Sequence, residues 1–234
     1  MKKYITSLFV LLLVLTRATG QINTQYFDKN WKPATKENMV YFRPEPISVN
    51  GKYLFKDYYK SGKLQFEGYS LSKTEEKFDG LVKYYSEQGK ITGTSVFKNG
   101  VLNGPVKTYY ENGKLNQDAI YKDGEEENVS VYSYKGTEIN GETIPYDLIT
   151  VYEKSDRVKQ IVYDGDLKGI RQEMRFNEYK ALYYGTDGKL LGEMVFDLYG
   201  NPNNGTMIDF KFDPMRVSGT RIFVDGEEQV PSKI

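Results

Sequence analysis

KNGVLNGPVKTYYENGKLNQDAIYKDG, residues 98–124, decides the fold. Asn99-Gly100, Asn112-Gly113 and Asp123-Gly124 punctuate it, and such pairs accept the positive φ angles that tight hairpin turns require. Between them Val106, Thr108 and Tyr110 alternate with Lys107 and Tyr109, the period of a half-buried strand. With Asn112-Gly113 as a two-residue loop, Glu111 pairs with Lys114 and Tyr110 with Leu115, which sets Lys107 opposite Asp118. Opposite charges facing each other across a ladder support that register.

Working outward, eleven Asn-Gly or Asp-Gly pairs mark the chain, led by Asn50, Asp79, Asn99, Asn103, Asn112, Asp123, Asn140, Asp164, Asp187, Asn204 and Asp225. No long 3.6-residue stripe is evident in the mature chain, and at most Thr35–Asn38 forms a short helical turn. A repeat emerges when the tyrosine pairs are aligned. Tyr58-Tyr59 precedes Gly62-Lys63-Leu64, and Tyr84-Tyr85 precedes Gly89-Lys90-Ile91. Tyr109-Tyr110 precedes Gly113-Lys114-Leu115, and Tyr183-Tyr184 precedes Gly188-Lys189-Leu190. Weaker copies begin at Tyr152 and Phe212.

Lys98-Asn99-Gly100-Val101-Leu102-Asn103-Gly104, then Tyr109–Leu115, then Tyr121-Lys122-Asp123-Gly124, resembles the bacterial MORN-repeat variant, including its YwqK-type antitoxin-like members. The resemblance is tight over residues 55–124 and loose over 150–226. It implies an all-β, antiparallel hairpin ladder with an interaction role, and it transfers no catalytic residue. Glu125-Glu126-Glu127 stands where the family has a glycine, so a break is expected there. The organisation read from the chain is a signal peptide over 1–20, a leader over 21–48 and regular repeats over 49–124. An irregular connection over 125–145 and divergent repeats over 146–234 follow.

Alternation sorts the tyrosines into two rows. The second of each pair (Tyr59, Tyr85, Tyr110, Tyr184) is expected in the core. The first (Tyr58, Tyr84, Tyr109, Tyr183) is expected on the polar face, where a row of rings makes a candidate binding surface. The same register puts Phe55, Tyr59, Leu64 and Phe66 on one face. Lys56, Tyr58, Gln65 and Glu67 fall on the other, with Lys56 across from Glu67.

Composition narrows the chemistry. Histidine and cysteine are both absent, which removes the Ser-His-Asp triad, imidazole or thiolate metal sites, and disulfides. Basic and acidic residues number 32 each, an even balance that gives no electrostatic footprint for nucleic acid. Tyr59/Lys63 and Tyr110/Lys114 have the spacing of a dehydrogenase dyad, but they straddle turns and no dinucleotide fingerprint accompanies them. Asp164-Gly165-Asp166 opens like a calcium loop, yet Lys168 and Arg175 stand where ligands are required. No enzyme activity, cofactor or metal is expected. Trp31 and Phe27 are expected to cover the open edge of the first strand.

Lys2-Lys3, an apolar run from Tyr4 to Leu15 and the small residues Ala18 and Gly20 read as an export signal, with the mature chain starting near Gln21. Arg17 closes the run short of the roughly 20 residues that span a bilayer. The expected location is the periplasm, cell surface or extracellular space. The expected function is a scaffold for a protein or cell-envelope partner. Carbohydrate binding or hydrolysis, favoured by surface tyrosines and export, and an immunity or antitoxin role are the competing readings.

Overall fold

Alternating segments separated by turn residues fold back on one another in sequence order, because each half-buried strand finds its cheapest partner next along the chain. The computed structural model describes residues 23–139, 141–165, 167–212 and 215–229, so the export signal and Asn140 lie outside it. The leader supplies β1 (Gln25–Phe27), β2 (Tyr41–Arg43) and β3 (Ile47–Val49). The regular section supplies β4 (Lys52–Tyr59), β5 (Leu64–Ser70), β6 (Gly80–Tyr85), β7 (Ile91–Lys98), β8 (Val101–Tyr109), β9 (Leu115–Lys122) and β10 (Glu125–Ser133). After a small separate hairpin, β11 (Glu138–Ile139) and β12 (Glu142–Thr143), come β13 (Asp147–Glu153), β14 (Asp156–Tyr163), β15 (Ile170–Arg175) and β16 (Lys180–Tyr184). The ladder ends with β17 (Leu190–Phe196), β18 (Pro202–Lys211), β19 (Arg216–Val224) and β20 (Glu227–Gln229). Eighteen strands form one open antiparallel sheet, and the one helical element among the described residues is a 3-10 turn at Phe176–Glu178. The all-β hairpin ladder expected from the sequence is therefore present.

The two edges of the ladder use different turns. Along one edge the tight pairs Asn50-Gly51, Asn99-Gly100, Asp123-Gly124 and Asp225-Gly226 have both residues at positive φ, as two-residue hairpins demand. Along the other edge the turns are longer. Tyr110 N–H donates to Lys114 C=O and Gly113 N–H donates to Tyr110 C=O, each near 2.8–2.9 Å. The same two bonds recur at Tyr59–Lys63, Ser86–Lys90 and Gly185–Lys189.

Asn112-Gly113 is thus the inner part of a five-residue turn, which corrects the expected pairing. Leu115 faces Tyr109, not Tyr110, and Leu64 faces Tyr58, not Tyr59. Tyr85 pairs with Ile91 and Tyr184 with Leu190, while Lys107 with Asp118 and Lys56 with Glu67 pair as expected. The second strand of each long-turn hairpin then carries one extra residue, a β-bulge, at Gln65, Thr92, Asn116 and Leu191. Gly113 sits at φ +84° with open space around it, so only backbone conformation restricts the position. Gly113→Val is expected to cost about 1–2 kcal/mol and Gly113→Asn distinctly less, read as urea midpoints. Equal midpoints would contradict the turn.

Not every Asx-Gly pair is a turn. Asp79-Gly80, Asn103-Gly104 and Asn204-Gly205 lie at or within strand starts. There the Asx side chain ties down the neighbouring tight turn: Asp79 Oδ1 accepts Asn99 N–H, Asn103 Nδ2 donates to Asp123 Oδ1, and Asn204 Oδ1 accepts Asp225 N–H. The expected break at the glutamate run is corrected as well. Glu125–Ser133 is a strand paired with both β9 and β13, and the missing glycine is absorbed by an irregularity between Glu126 and Asn128. The excursion narrows to residues 134–146.

One face of the sheet is buried. Phe55, Phe66, Phe78 and Val82 make one cluster, and Ala181, Tyr183, Met194, Ile208 and Phe223 make another. The 71–79 connection supplies Phe78, which packs edge-on against Phe55 at 5.8 Å and tilted against Phe66 at 5.1 Å. Burying each such side chain contributes about 1.5–3 kcal/mol. In the second half Asp147, buried, accepts N–H groups from Lys135 and Leu167, which pins the 134–146 excursion to the turn after β14. The opposite face carries the charged rungs, with Lys107 Nζ 2.9 Å from Asp118 and Lys83 Nζ 3.7 Å from Glu67.

Candidate functional site

The candidate site begins where the leader meets the ladder. β2 and β3 both run along the outer edge of β4, β2 at Tyr58 and Tyr59 and β3 at residues 52–54. Pro44 and Pro46 lie between them, and proline cannot donate to a ladder, so pairing lapses opposite Phe55 and Asp57. Arg43, the last residue of β2, occupies that gap. Its Nε and Nη2 grip Asp57 Oδ1 and Oδ2 at 2.5 and 2.7 Å, and its Nη1 reaches Glu76 Oε1 at 2.5 Å. Phe27 and Phe55 lie 5.6 and 5.2 Å from the guanidinium carbon. Asp57 is only 2% exposed.

Burial raises the Asp57 carboxyl above its ordinary range, and the nearby Glu76 charge adds to that, while the Arg43 fork opposes both. Burial alone would lower the Arg43 pKa, but hydrogen bonds and charge from Asp57 and Glu76 outweigh it and raise it. We take the pair as ionised, because the two-pronged geometry satisfies both carboxylate oxygens. The arrangement fixes the angle at which the leader crosses the sheet.

Above this ion cluster lies a groove of about 550 Å³, within the usual range of ligand pockets. Phe27, Trp31, Phe66, Phe78 and Tyr84 form its walls, and Arg43, Asp57, Glu76 and Gln65 supply the polar groups. Gln65 is the bulge residue of β5, and the bulge turns it into the groove instead of onto the charged face expected for it. Its Oε1 is buried without a hydrogen-bond partner. Trp31 stands at φ +60°, a sparsely populated conformation for so bulky a residue. Asp28 holds the strained turn by accepting the N–H groups of Asn30 and Lys32. The indole lies flat on Tyr41, 4.4 Å between ring centres and 4° from parallel, and is 40% exposed. Trp31 and Phe27, expected to cover a strand edge, also wall this groove.

The four tyrosines expected as one outer row are divided by the structure. Tyr183 is 3% exposed within the second core cluster, and Tyr84, against Phe66 at 5.2 Å, walls the groove on the buried face. Tyr58, stacked on Phe42 at 5.3 Å, and Tyr109 lie on the charged face, both half-buried. Their row is completed by Tyr85 and Tyr184. The reason is the turn: counted from Gly-Lys, all four copies carry tyrosine at the residue that pairs with Leu64, Ile91, Leu115 or Leu190. The neighbouring tyrosine falls after that position in the first and third copies and before it in the others. Tyr59 and Tyr110 thereby sit at the turn bases, and their hydroxyls donate to the carbonyls of Tyr85 and Tyr132 on the next hairpins.

Within the outer row, burial, then the hydrogen bond to Glu67, pushes the Tyr85 phenol up to about 12. The raised folded value means that this contribution to stability is intact below the ordinary phenol range. It is lost as pH rises from about 10 through about 12. An ultraviolet titration should lose amplitude from its high-pH limb, at about 12, in Tyr85→Phe. No change in the high-pH limb would contradict the Glu67 contact.

Among the described residues no group of three or more acidic side chains is placed to hold a metal, and no helix is long and apolar enough to cross a membrane. The family model for the MORN repeat variant matches residues 78–99 and 102–123. Each matched stretch runs from the residue two before Gly80 or Gly104, through one long-turn hairpin, to the first residue of a tight turn. The ladder is accordingly consistent with a MORN-repeat protein. MORN repeats are in general protein- or membrane-interaction modules. No curated protein matches the chain.

Proposed function

We propose that the chain is an exported, non-enzymatic scaffold that holds a protein or cell-envelope partner, with the groove under the leader as a principal contact. The observation that carries this reading is the groove itself. An open aromatic recess is joined to a long repeat sheet, and its Arg43, Asp57 and Glu76 are paired with one another. Repeat ladders offer extended surfaces on which a partner can be gripped at several points. Export rests on the basic, apolar and small-residue order of residues 1–20.

Two measurements test the reading. Full-length chain expressed in a bacterial host should yield a processed protein whose mass begins at Gln21. Processed wild type and Trp31→Ala should then be crosslinked in envelope extract. One partner recovered by the wild type and lost by Trp31→Ala, with equal melting temperatures, is the expected result. An unprocessed chain would overturn export. A partner recovered equally by both proteins would move the contact elsewhere on the ladder.

A further inference from the structure

We infer that the groove receives a protonated basic side chain, lysine or arginine, from the partner protein. This rests on the scaffold reading and names the chemistry of its contact.

Each guanidinium nitrogen of Arg43 makes one bond to Asp57 or Glu76, so the groove's one cation is already paired with acids. Acceptors are left over. Gln65 Oε1 is buried and unpaired, an arrangement that costs free energy until a donor arrives. Glu76 retains a largely exposed carboxylate, with its side chain 58% accessible. One cation against two anions leaves the lining acidic by one charge. The Tyr84 phenol registers this, since burial and then the Glu76 charge raise it above its ordinary value.

The walls fit the rest of such a side chain. Trp31, Phe66 and Phe78 present ring surface to which methylenes adhere, and a cation near an aromatic face gains from the ring quadrupole. Tyr41 backs the indole from behind, so the ring meets the occupant in a fixed orientation. A neutral hydrophobic side chain would leave Gln65 unpaired, and an acidic one would meet Glu76 and Asp57.

Trp31 is the sole tryptophan of the chain, so its fluorescence reports the groove directly. The probes are the acetylated methylamides of lysine, arginine and norleucine, and the β-1,4 disaccharide of N-acetylglucosamine. The basic probes should give saturable changes, with norleucine at least about tenfold weaker. Glu76→Gln keeps the acceptor that Arg43 uses and should weaken the basic probes about tenfold, as should Gln65→Met. If Glu76→Gln alters the melting curve, Gln65→Met decides.

Norleucine binding as well as lysine, basic probes insensitive to both substitutions, or no response to any basic probe would each overturn the inference. So would disaccharide binding in place of the basic probes, which would make the groove a saccharide site. Any of these leaves the scaffold reading to be judged by the crosslinking result with Trp31→Ala.

Discussion

Asp57→Ala is expected to destabilise the protein by about 3–5 kcal/mol, because it leaves the largely buried Arg43 guanidinium with Glu76 as its one remaining anion. Loss of the carboxylate leaves Nε and Nη2 without partners while Phe27 and Phe55 still enclose the group. Glu76 cannot compensate, since it already holds Nη1. The double variant Arg43→Leu with Asp57→Leu removes both charges and should recover most of the loss, as apolar replacement of buried ion pairs often does. Urea denaturation of the wild type, Arg43→Leu, Asp57→Leu and the double variant gives the coupling directly. A single-variant loss below about 1 kcal/mol would mean that the pair is solvated and that the leader is not anchored through it.

Gly205→Ala should be comparably severe, at about 3–5 kcal/mol. Gly205 sits in β18 at φ +124°, a region essentially reserved for glycine, and a Cβ there would lie 2.1 Å from the Glu193 carbonyl oxygen. Met194, which pairs with Gly205 and is fully buried, would have to move with its strand. Gly113→Ala is the control: its φ is +84° and nothing lies within 4 Å, so about 1 kcal/mol is expected. Equal losses at the two positions would show that β17 and β18 are not pressed together as described.

These two sites mark where the sequence was legible and where it was misleading. Hairpin punctuation and period-2 alternation were enough for the all-β ladder, since each turn and each strand pair is a local decision. The rungs Lys56–Glu67 and Lys107–Asp118 could be placed because the longer turn and the bulge beside it shift the register by one residue in opposite senses and cancel farther along the strand. The faces of the tyrosines could not be placed by aligning Tyr-Tyr, because the five-residue turns fix register from Gly-Lys. Asn204-Gly205 has the composition of a turn and the geometry of a strand start, so the dipeptide alone does not tell them apart.

The groove was missed for a related reason. Aligned on Gly-Lys, Asp57 occupies the position held by Tyr84, Thr108 and Tyr183, an acid on the buried face. That anomaly calls for a cation, and Arg43, beside Pro44 and Pro46, is the nearest arginine upstream. The remaining components, the unpaired Gln65 and the wall residue Phe78, come from a bulge and a folded connection. Neither leaves a periodic trace in the sequence.

Among the described residues the hairpins continue as one sheet from the leader to β20, with no second compact body after the glutamate run. Eighteen strands, two sharing one edge of β4, extend about 75–80 Å at a spacing of about 4.8 Å. Small-angle X-ray scattering of the processed protein tests that claim most directly. A sheet of this length predicts a radius of gyration of about 22–25 Å and an asymmetric distance distribution. A value near about 17 Å, that of a compact globule of this chain length, would contradict it.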